Sequence, residues 1–315
     1  MSRLPSFFLA GAPKAGTTSL CRYLDQHPRI YMSPIKEPCF FAEEVREQNF
    51  EPALRRKLSR DAPALREFLS GPMTGHRQSG IVAEWNDYLR LFANAPDESC
   101  LGEASACYLW SRTAPERIAA RIPNAKILVM LRDPAERAFS QYLQGVGIGA
   151  IRSSFRAHIQ RCLDYRGEQL GIYHPFLDFG LYAEQLCRYL RRFGRNVWVG
   201  FYEDFRGRPR EVLQDVFRFL EVDPSFSPDT SCRYMASQVP RLPAIGWLKG
   251  VGVWQRVAGL TPGGLRPLIR RVLIRRPGSV RMDPADRRYL VDFYRDDIWK
   301  LANLLSRDLD GWLQA

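Results

Sequence analysis

The stretch Phe7-Phe8-Leu9-Ala10-Gly11-Ala12-Pro13-Lys14-Ala15-Gly16-Thr17-Thr18-Ser19-Leu20 decides how this chain is read. The apolar run at 6–10 has the length of a buried strand, and 17–26 carries the pattern of a helix. A glycine-rich turn between a strand and a helix N-terminus points backbone N–H groups at an anion, and the helix dipole adds to the attraction. A plain tight turn capped by Thr17 explains the glycines but not a lysine inside the loop, so the loop is read as a phosphate cradle. Gly11 and Gly16 fit the spacing G-x-x-x-x-G-K-[ST] of nucleotide-triphosphatase loops. Thr17, however, stands where that loop needs lysine, and the lysine sits three residues earlier, at Lys14. No apolar strand ends in Asp-Asp or Asp-Glu to offer a magnesium carboxylate. A displaced lysine reaches a different atom of a bound phosphate, so the leaving group need not be that of an ATPase.

Working outward, further strand-length apolar runs lie at 99–101, 126–131 and 196–202, with a short one at 29–32. Helical patterns at 114–121, 134–145, 182–193 and 209–220 separate them. Apolar strands alternating with amphipathic helices predict an α/β fold of three layers, a central, mostly parallel sheet flanked by helices. Such sheets bind ligands at the carboxyl ends of their strands. Residues 1–315 are expected to form one domain. Within it, 43–98 is a helical insertion, 237–283 a variable basic and amphipathic flap, and 284–315 a C-terminal helix.

The 315 residues carry a net charge of +12, with 45% hydrophobic and 25% charged residues. That composition excludes disordered, collagenous and disulfide-scaffold classes and favours anionic partners. The seven cysteines are scattered without a C-x-x-C pair, which argues against a zinc site and for thiols in a reducing compartment. The uncharged stretch 138–151 is shorter than the roughly 18 residues a bilayer span needs, and no signal peptide is visible. The expectation is a cytoplasmic protein.

A second motif follows the strand at 126–131: Arg132-Asp133-Pro134-Ala135-Glu136-Arg137-Ala138-Phe139-Ser140-Gln141-Tyr142. Asp133 can cap the next helix, Pro134 suits its first position, and Glu136 completes a capping-box-like arrangement. Arg132 therefore falls at a strand's carboxyl end and Ser140 about two turns into the helix. Alone, this pair reads equally well as a surface ion pair and a neutral helix residue.

Together, the two motifs resemble those of sulfotransferases that use 3′-phosphoadenosine 5′-phosphosulfate. The resemblance implies a P-loop-like fold in which Lys14, Ala15, Gly16, Thr17, Thr18 and Ser19 hold the 5′-phosphosulfate and Lys14 stabilises the leaving phosphate oxygen. It gives the 3′-phosphate to Arg132 and Ser140, whose guanidinium fork suits phosphate. Glu103–Tyr108, Gly180–Tyr182, 197–220 and 294–301 look like further stretches of the family. The order Lys36-Glu37-Pro38-Cys39-Phe40-Phe41 is similar to the E-x-x-F-F of heparan sulfate N- and 3-O-sulfotransferases, which makes Glu37 the implied base. A surface pair with Lys36 is the plainer reading of Glu37.

On the acceptor side the resemblance suggests Lys36, Glu103 and Tyr108. Ala104 stands where the saccharide enzymes carry lysine after the glutamate, and Arg275 and Arg276 align loosely with their basic glycine loop over the nucleotide. Of the histidines, His27 suits a capping or packing role, and His76, in a glycine-rich stretch, is a reserve base. The segment 243–276, with Trp247, Trp254 and a run of arginines, reads either as a basic amphipathic flap or as ordinary packing. The expected partner is a small-molecule, saccharide or lipid-linked acceptor, with peripheral association to anionic membrane left open. No metal and no nucleic acid are expected. A kinase with a displaced lysine and a basic nucleotide- or nucleic-acid-binding protein are the competing readings.

Overall fold

The computed structural model describes residues 3–95, 100–232 and 280–314. Five strands, β1 (Phe7–Gly11), β2 (Ile30–Met32), β3 (Cys100–Ala104), β4 (Lys126–Leu131) and β5 (Val197–Phe201), form one parallel sheet in the order β2-β3-β1-β4-β5. The strands are short and mostly apolar because helices cover both faces; all five β1 residues are buried. Each buried Phe or Leu there contributes about 1.5–3 kcal/mol. From β1 the chain runs to β2 and β3 on one side, then crosses to β4 and β5 on the other. The carboxyl end of β1 is therefore the topological switch point, where α/β sheets open a crevice.

Helices α1 (Thr17–Leu24), α4 (Ala114–Arg121), α5 (Pro134–Gly147), α7 (Tyr182–Phe193) and α9 (Pro209–Leu220) arise where the amphipathic patterns predict them. Between β2 and β3 lie α2 (Pro52–Ser70), which buries only Leu69, and α3 (Trp85–Arg90), which buries Tyr88. The stretch at 43–95 is thus helical at 52–70 and 85–90 and adds Val82, Tyr88, Leu91 and Phe92 to the core. The helix α6 (Phe155–Asp164) was not anticipated; Ser154 caps it by accepting from the Ala157 N–H at 3.3 Å, and Phe155, His158 and Ile159 face inward. A short helix α8 (Tyr202–Gly207) follows β5 directly.

The helix α10 (Pro284–Leu305) packs on α5 and α7 through Leu290, Val291, Tyr294, Ile298 and Leu301. From it, Asp297 accepts from the backbone N–H groups of Tyr182 at 2.7 Å and Ala183 at 3.2 Å, capping α7 from outside. Burial pushes this carboxyl up to about 6, against the pull of those two N–H groups.

The third strand differs from expectation. The apolar run suggests 99–101, whereas β3 continues to Ala104 and contains Glu103. A carboxylate reads as a strand end, but Glu103 is wholly buried and bonded by three hydroxyls, Ser105 at 2.5 Å, Tyr88 at 2.8 Å and Tyr108 at 3.0 Å. Burial pushes its pKa up to about 7 despite those donors. The segment 243–276, with Trp247, Trp254, Arg275 and Arg276, lies outside the described residues, as does most of the expected flap at 237–283. Among the described residues, no helix is long and apolar enough to cross a membrane.

Candidate active site

The loop after β1 turns through two left-handed residues, Lys14 (φ 68°) and Gly16 (φ 86°). Glycine is required at the second: a Cβ there would meet the Tyr202 ring at 3.0 Å as well as the unfavourable φ. The turn delivers the chain into α1 through Gly16, an N-cap with no side chain to bond the first N–H groups, and a helix N-terminus of this kind attracts an anion. Thr17 is buried, whereas Thr18 and Ser19 are half-buried at the mouth of this turn.

Arg132 arrives from the adjacent strand end. It donates to the Lys14 carbonyl at 3.1 Å, lies 4.6 Å over the Tyr202 ring, and pairs loosely with Glu136 at 3.4 Å. Its own carbonyl accepts from the Tyr182 hydroxyl at 2.9 Å. Asp133 caps α5 as expected, accepting from Ala135 at 2.9 Å and Glu136 at 3.0 Å, and its second oxygen binds Arg287 at 2.8 Å. Ser140 is half-buried on the same helix, two turns on.

Cations crowd this corner. Burial, then Arg132, Lys36 and Arg137 in turn, push the Lys14 ammonium down to about 8. Arg137 is wholly buried and donates to Gln141 at 2.5 Å and to the Phe176 carbonyl at 2.6 Å. Among the described residues, neither Lys14 nor Arg137 has a carboxylate partner. Buried positive charge in this excess is the electrostatic condition of an anion site.

Glu37 approaches from the far side, on the segment after β2. It has φ 61°, and its N–H donates to the Ala104 carbonyl at 2.8 Å. One carboxylate oxygen receives the Ala106 N–H at 2.8 Å, and the other is paired with the Lys36 ammonium. Burial opposes charge on Lys36, but Glu37 beside it outweighs burial and holds the ammonium above its ordinary range. The Glu37 side chain keeps 25% of its surface exposed, enough to meet a bound molecule.

Glu103 and Tyr108, expected to contact an acceptor, have no exposed surface. They stand behind Glu37 and meet its segment through the backbone. Ser105, bonded to Glu103, accepts from the Cys39 N–H at 3.0 Å, and the Tyr108 hydroxyl accepts from the Phe41 N–H at 3.2 Å. The cage thus holds the segment carrying Glu37. His27 is buried, accepts from the Arg29 N–H at 3.0 Å and reaches the Asp223 carbonyl at 3.1 Å, a structural role. His76 pairs with Asp25 at 3.2 Å in a cleft of about 310 Å³ bordered by Tyr31, Thr74 and Asn94. That cleft adjoins the Glu37 segment through pairing of Ile35 and Lys36 with Arg77.

The structure therefore brings Lys14, Gly16, Thr17, Arg132, Lys36 and Glu37 to the carboxyl ends of β1 to β4, and Arg275 and Arg276 lie outside the described residues. Sequence reading missed Tyr202 and Arg137 as parts of the site. Tyr202 follows the end of β5 directly, so the rule that ligands gather at strand carboxyl ends would have found it. Nothing in the sequence marks Arg137 as buried.

A family profile described as the sulfotransferase family matches residues 5–227. The chain is 28% identical over 320 residues to the human bifunctional heparan sulfate N-deacetylase/N-sulfotransferase 2, covering 99% of this chain and 31% of that protein. It is 28% identical over 261 residues to human carbohydrate sulfotransferase 15, covering 70% of this chain and 44% of that protein. The chain thus spans about a third of the length of the heparan sulfate relatives and under half of the other. Among solved structures, a sulfotransferase from Alicyclobacillus acidocaldarius superposes with a TM-score of 0.70 at 29% identity, covering 98% of this chain and 99% of that one.

Proposed function

The chain belongs to the sulfotransferase family, and on that premise we propose that it moves a sulfuryl group from 3′-phosphoadenosine 5′-phosphosulfate to a hydroxyl or amine of an acceptor. The observation that carries the reading is the pairing of a cationic corner, Lys14 with Arg132 and Arg137, with a part-exposed carboxylate, Glu37, at the same end of the sheet. The residues fit the donor: clustered positive charge, a helix N-terminus and a guanidinium fork are what two phosphates require.

The donor supplies an activated sulfuryl group on a phosphate that leaves as an anion. Thr17, Thr18, Ser19 and the α1 N–H groups hold the 5′ end, and Arg132 with Ser140 holds the 3′-phosphate. Glu37 accepts the acceptor's proton on a carboxylate oxygen, while Lys36 and the Ala106 N–H orient that carboxylate. Lys14 compensates the charge that grows on the leaving oxygen, an interaction strongest as the bond breaks. Similarity to heparan sulfate and carbohydrate enzymes favours a saccharide acceptor, and a lipid-linked one is compatible with the apolar and basic residues at 243–276.

Labelled sulfuryl donor with an acceptor panel tests the reading. Glu37→Gln should lower turnover by about 10²–10⁴-fold, the usual cost of losing a general base, with nucleotide affinity nearly unchanged. Near-normal turnover in that variant would pass the role to His76. Preference for ATP over both 3′-phosphoadenosine 5′-phosphate and 5′-AMP would favour the kinase reading instead.

A further inference from the structure

Beside the carboxylate lies a pair of thiols that the transfer chemistry does not use. The Cys107 S–H donates to the Cys39 Sγ at 3.3 Å, and both sulfurs lie within 4.8 Å of a Glu37 oxygen. Each sits on a segment that holds Glu37. Cys39 is two residues beyond it, anchored through its N–H to Ser105 at 3.0 Å. Cys107 directly follows Ala106, whose N–H binds the Glu37 carboxylate at 2.8 Å. Three potential ligands this close could suggest a metal site. Both Glu37 oxygens are already taken, however, by Lys36 and Ala106, and the neighbouring ammonium groups of Lys14 and Lys36 repel a cation.

We propose that Cys39 and Cys107 form a covalent modification site that closes to a disulfide with a low-molecular-weight disulfide such as oxidised glutathione, and that closure slows transfer at Glu37. The second half rests on the sulfotransferase reading. Cys107, half-buried where Cys39 is buried, takes the first exchange: its sulfur bonds to one glutathione sulfur and the other glutathione leaves as thiolate. Cys39, already in contact, then attacks the Cys107 sulfur and expels the second glutathione. Two protein thiols are oxidised, one glutathione disulfide is reduced to two thiols, and the two protons pass to those thiols. The hydrogen bond with Cys39, and burial, hold the Cys107 thiol well above its ordinary range, so the first step is slow at neutral pH.

Closing the bond brings the sulfurs from 3.3 Å to about 2.05 Å. Side-chain rotation takes up part of that approach, and the two segments that aim the Glu37 carboxylate take up the rest. A displacement of about 1 Å in a positioned catalytic group costs up to roughly 10²-fold.

The test exposes the full chain to oxidised glutathione, alkylates the remaining thiols, and maps peptides by mass. The expected result is a Cys39–Cys107 cross-link with the loss of two hydrogens. Turnover should fall 10- to 100-fold with nucleotide affinity unchanged, and dithiothreitol should restore it. Cys107→Ser should neither cross-link nor lose turnover on oxidation. Should that variant fail to fold, phenylarsine oxide on the unmodified chain should protect both cysteines from alkylation. Cys39 and Cys107 both alkylated after oxidation, or cross-linked with turnover unchanged, would overturn the proposal. A reduced protein inactive toward every acceptor would instead count against the transferase reading, and the peptide map would still report whether the pair closes.

Discussion

Lys14 titrates at about 8 because burial and the charges of Arg132, Lys36 and Arg137 all oppose its ammonium form. A bound polyanion opposes those effects and raises the pKa back toward its ordinary 10.5. Nucleotide binding must then take up a proton wherever the free lysine is partly neutral. With a free value of about 8, the neutral fraction is about 0.1 at pH 7, 0.5 at pH 8 and 0.9 at pH 9. Proton uptake should follow those numbers, since phosphate groups with a second pKa of about 6 are fully ionised by pH 8. Lys36 is held above its ordinary value by Glu37 and stays charged throughout this window. The same linkage weakens apparent affinity about tenfold between pH 7 and 9, or about 1.4 kcal/mol. Titration calorimetry with 3′-phosphoadenosine 5′-phosphate, run in buffers of different ionisation enthalpy, measures the uptake directly. Lys14→Met should abolish its pH dependence. Uptake that is flat from pH 7 to 9, or that survives in Lys14→Met, would refute the argument that Lys14 is the partly buried cation facing the phosphates.

Arg132→Ala should erase most of the preference for 3′-phosphoadenosine 5′-phosphate over 5′-AMP, a loss of about 1.5–3 kcal/mol for charged hydrogen bonds; calorimetry showing an unchanged preference would remove Arg132 from the 3′ side. Transfer should survive excess EDTA, because Lys14 supplies the charge compensation; complete loss restored by magnesium would contradict this. Glu103 is the stability prediction. Its folded pKa of about 7 lies above its ordinary 4.5, so the folded state binds the extra proton and stability falls as pH rises through that interval, by about 3 kcal/mol. The stability of wild type relative to Glu103→Gln should therefore fall by about 3 kcal/mol between pH 4.5 and 7, read from denaturant midpoints, and parallel pH profiles would refute it.

Several parts of the molecule were legible in the residues alone, and for local reasons. The loop at Gly11–Thr18 declares itself because a strand-to-helix turn with glycines and a lysine has few physical explanations. Arg132 and the capped start of α5 follow from strand length, Asp133 and Pro134, all read within a dozen residues. Glu37 was reached by resemblance to a motif, not by periodicity. What the linear chain withheld is what depends on burial and on contacts between distant segments. The sheet order that puts β1 between β3 and β4 could not be read from strands of similar composition. Glu103 looks like an exposed carboxylate until Tyr88, 15 residues away, and Tyr108 enclose it. Tyr202 meets Arg132, and Cys107 meets Cys39 68 residues away, only because parallel strands carry their carboxyl ends to one edge. Local backbone preference and patterning act over a few residues and so are written in the sequence. The depressed Lys14, the caged Glu103 and the thiol pair are products of desolvation and close approach, which exist only once the sheet has assembled.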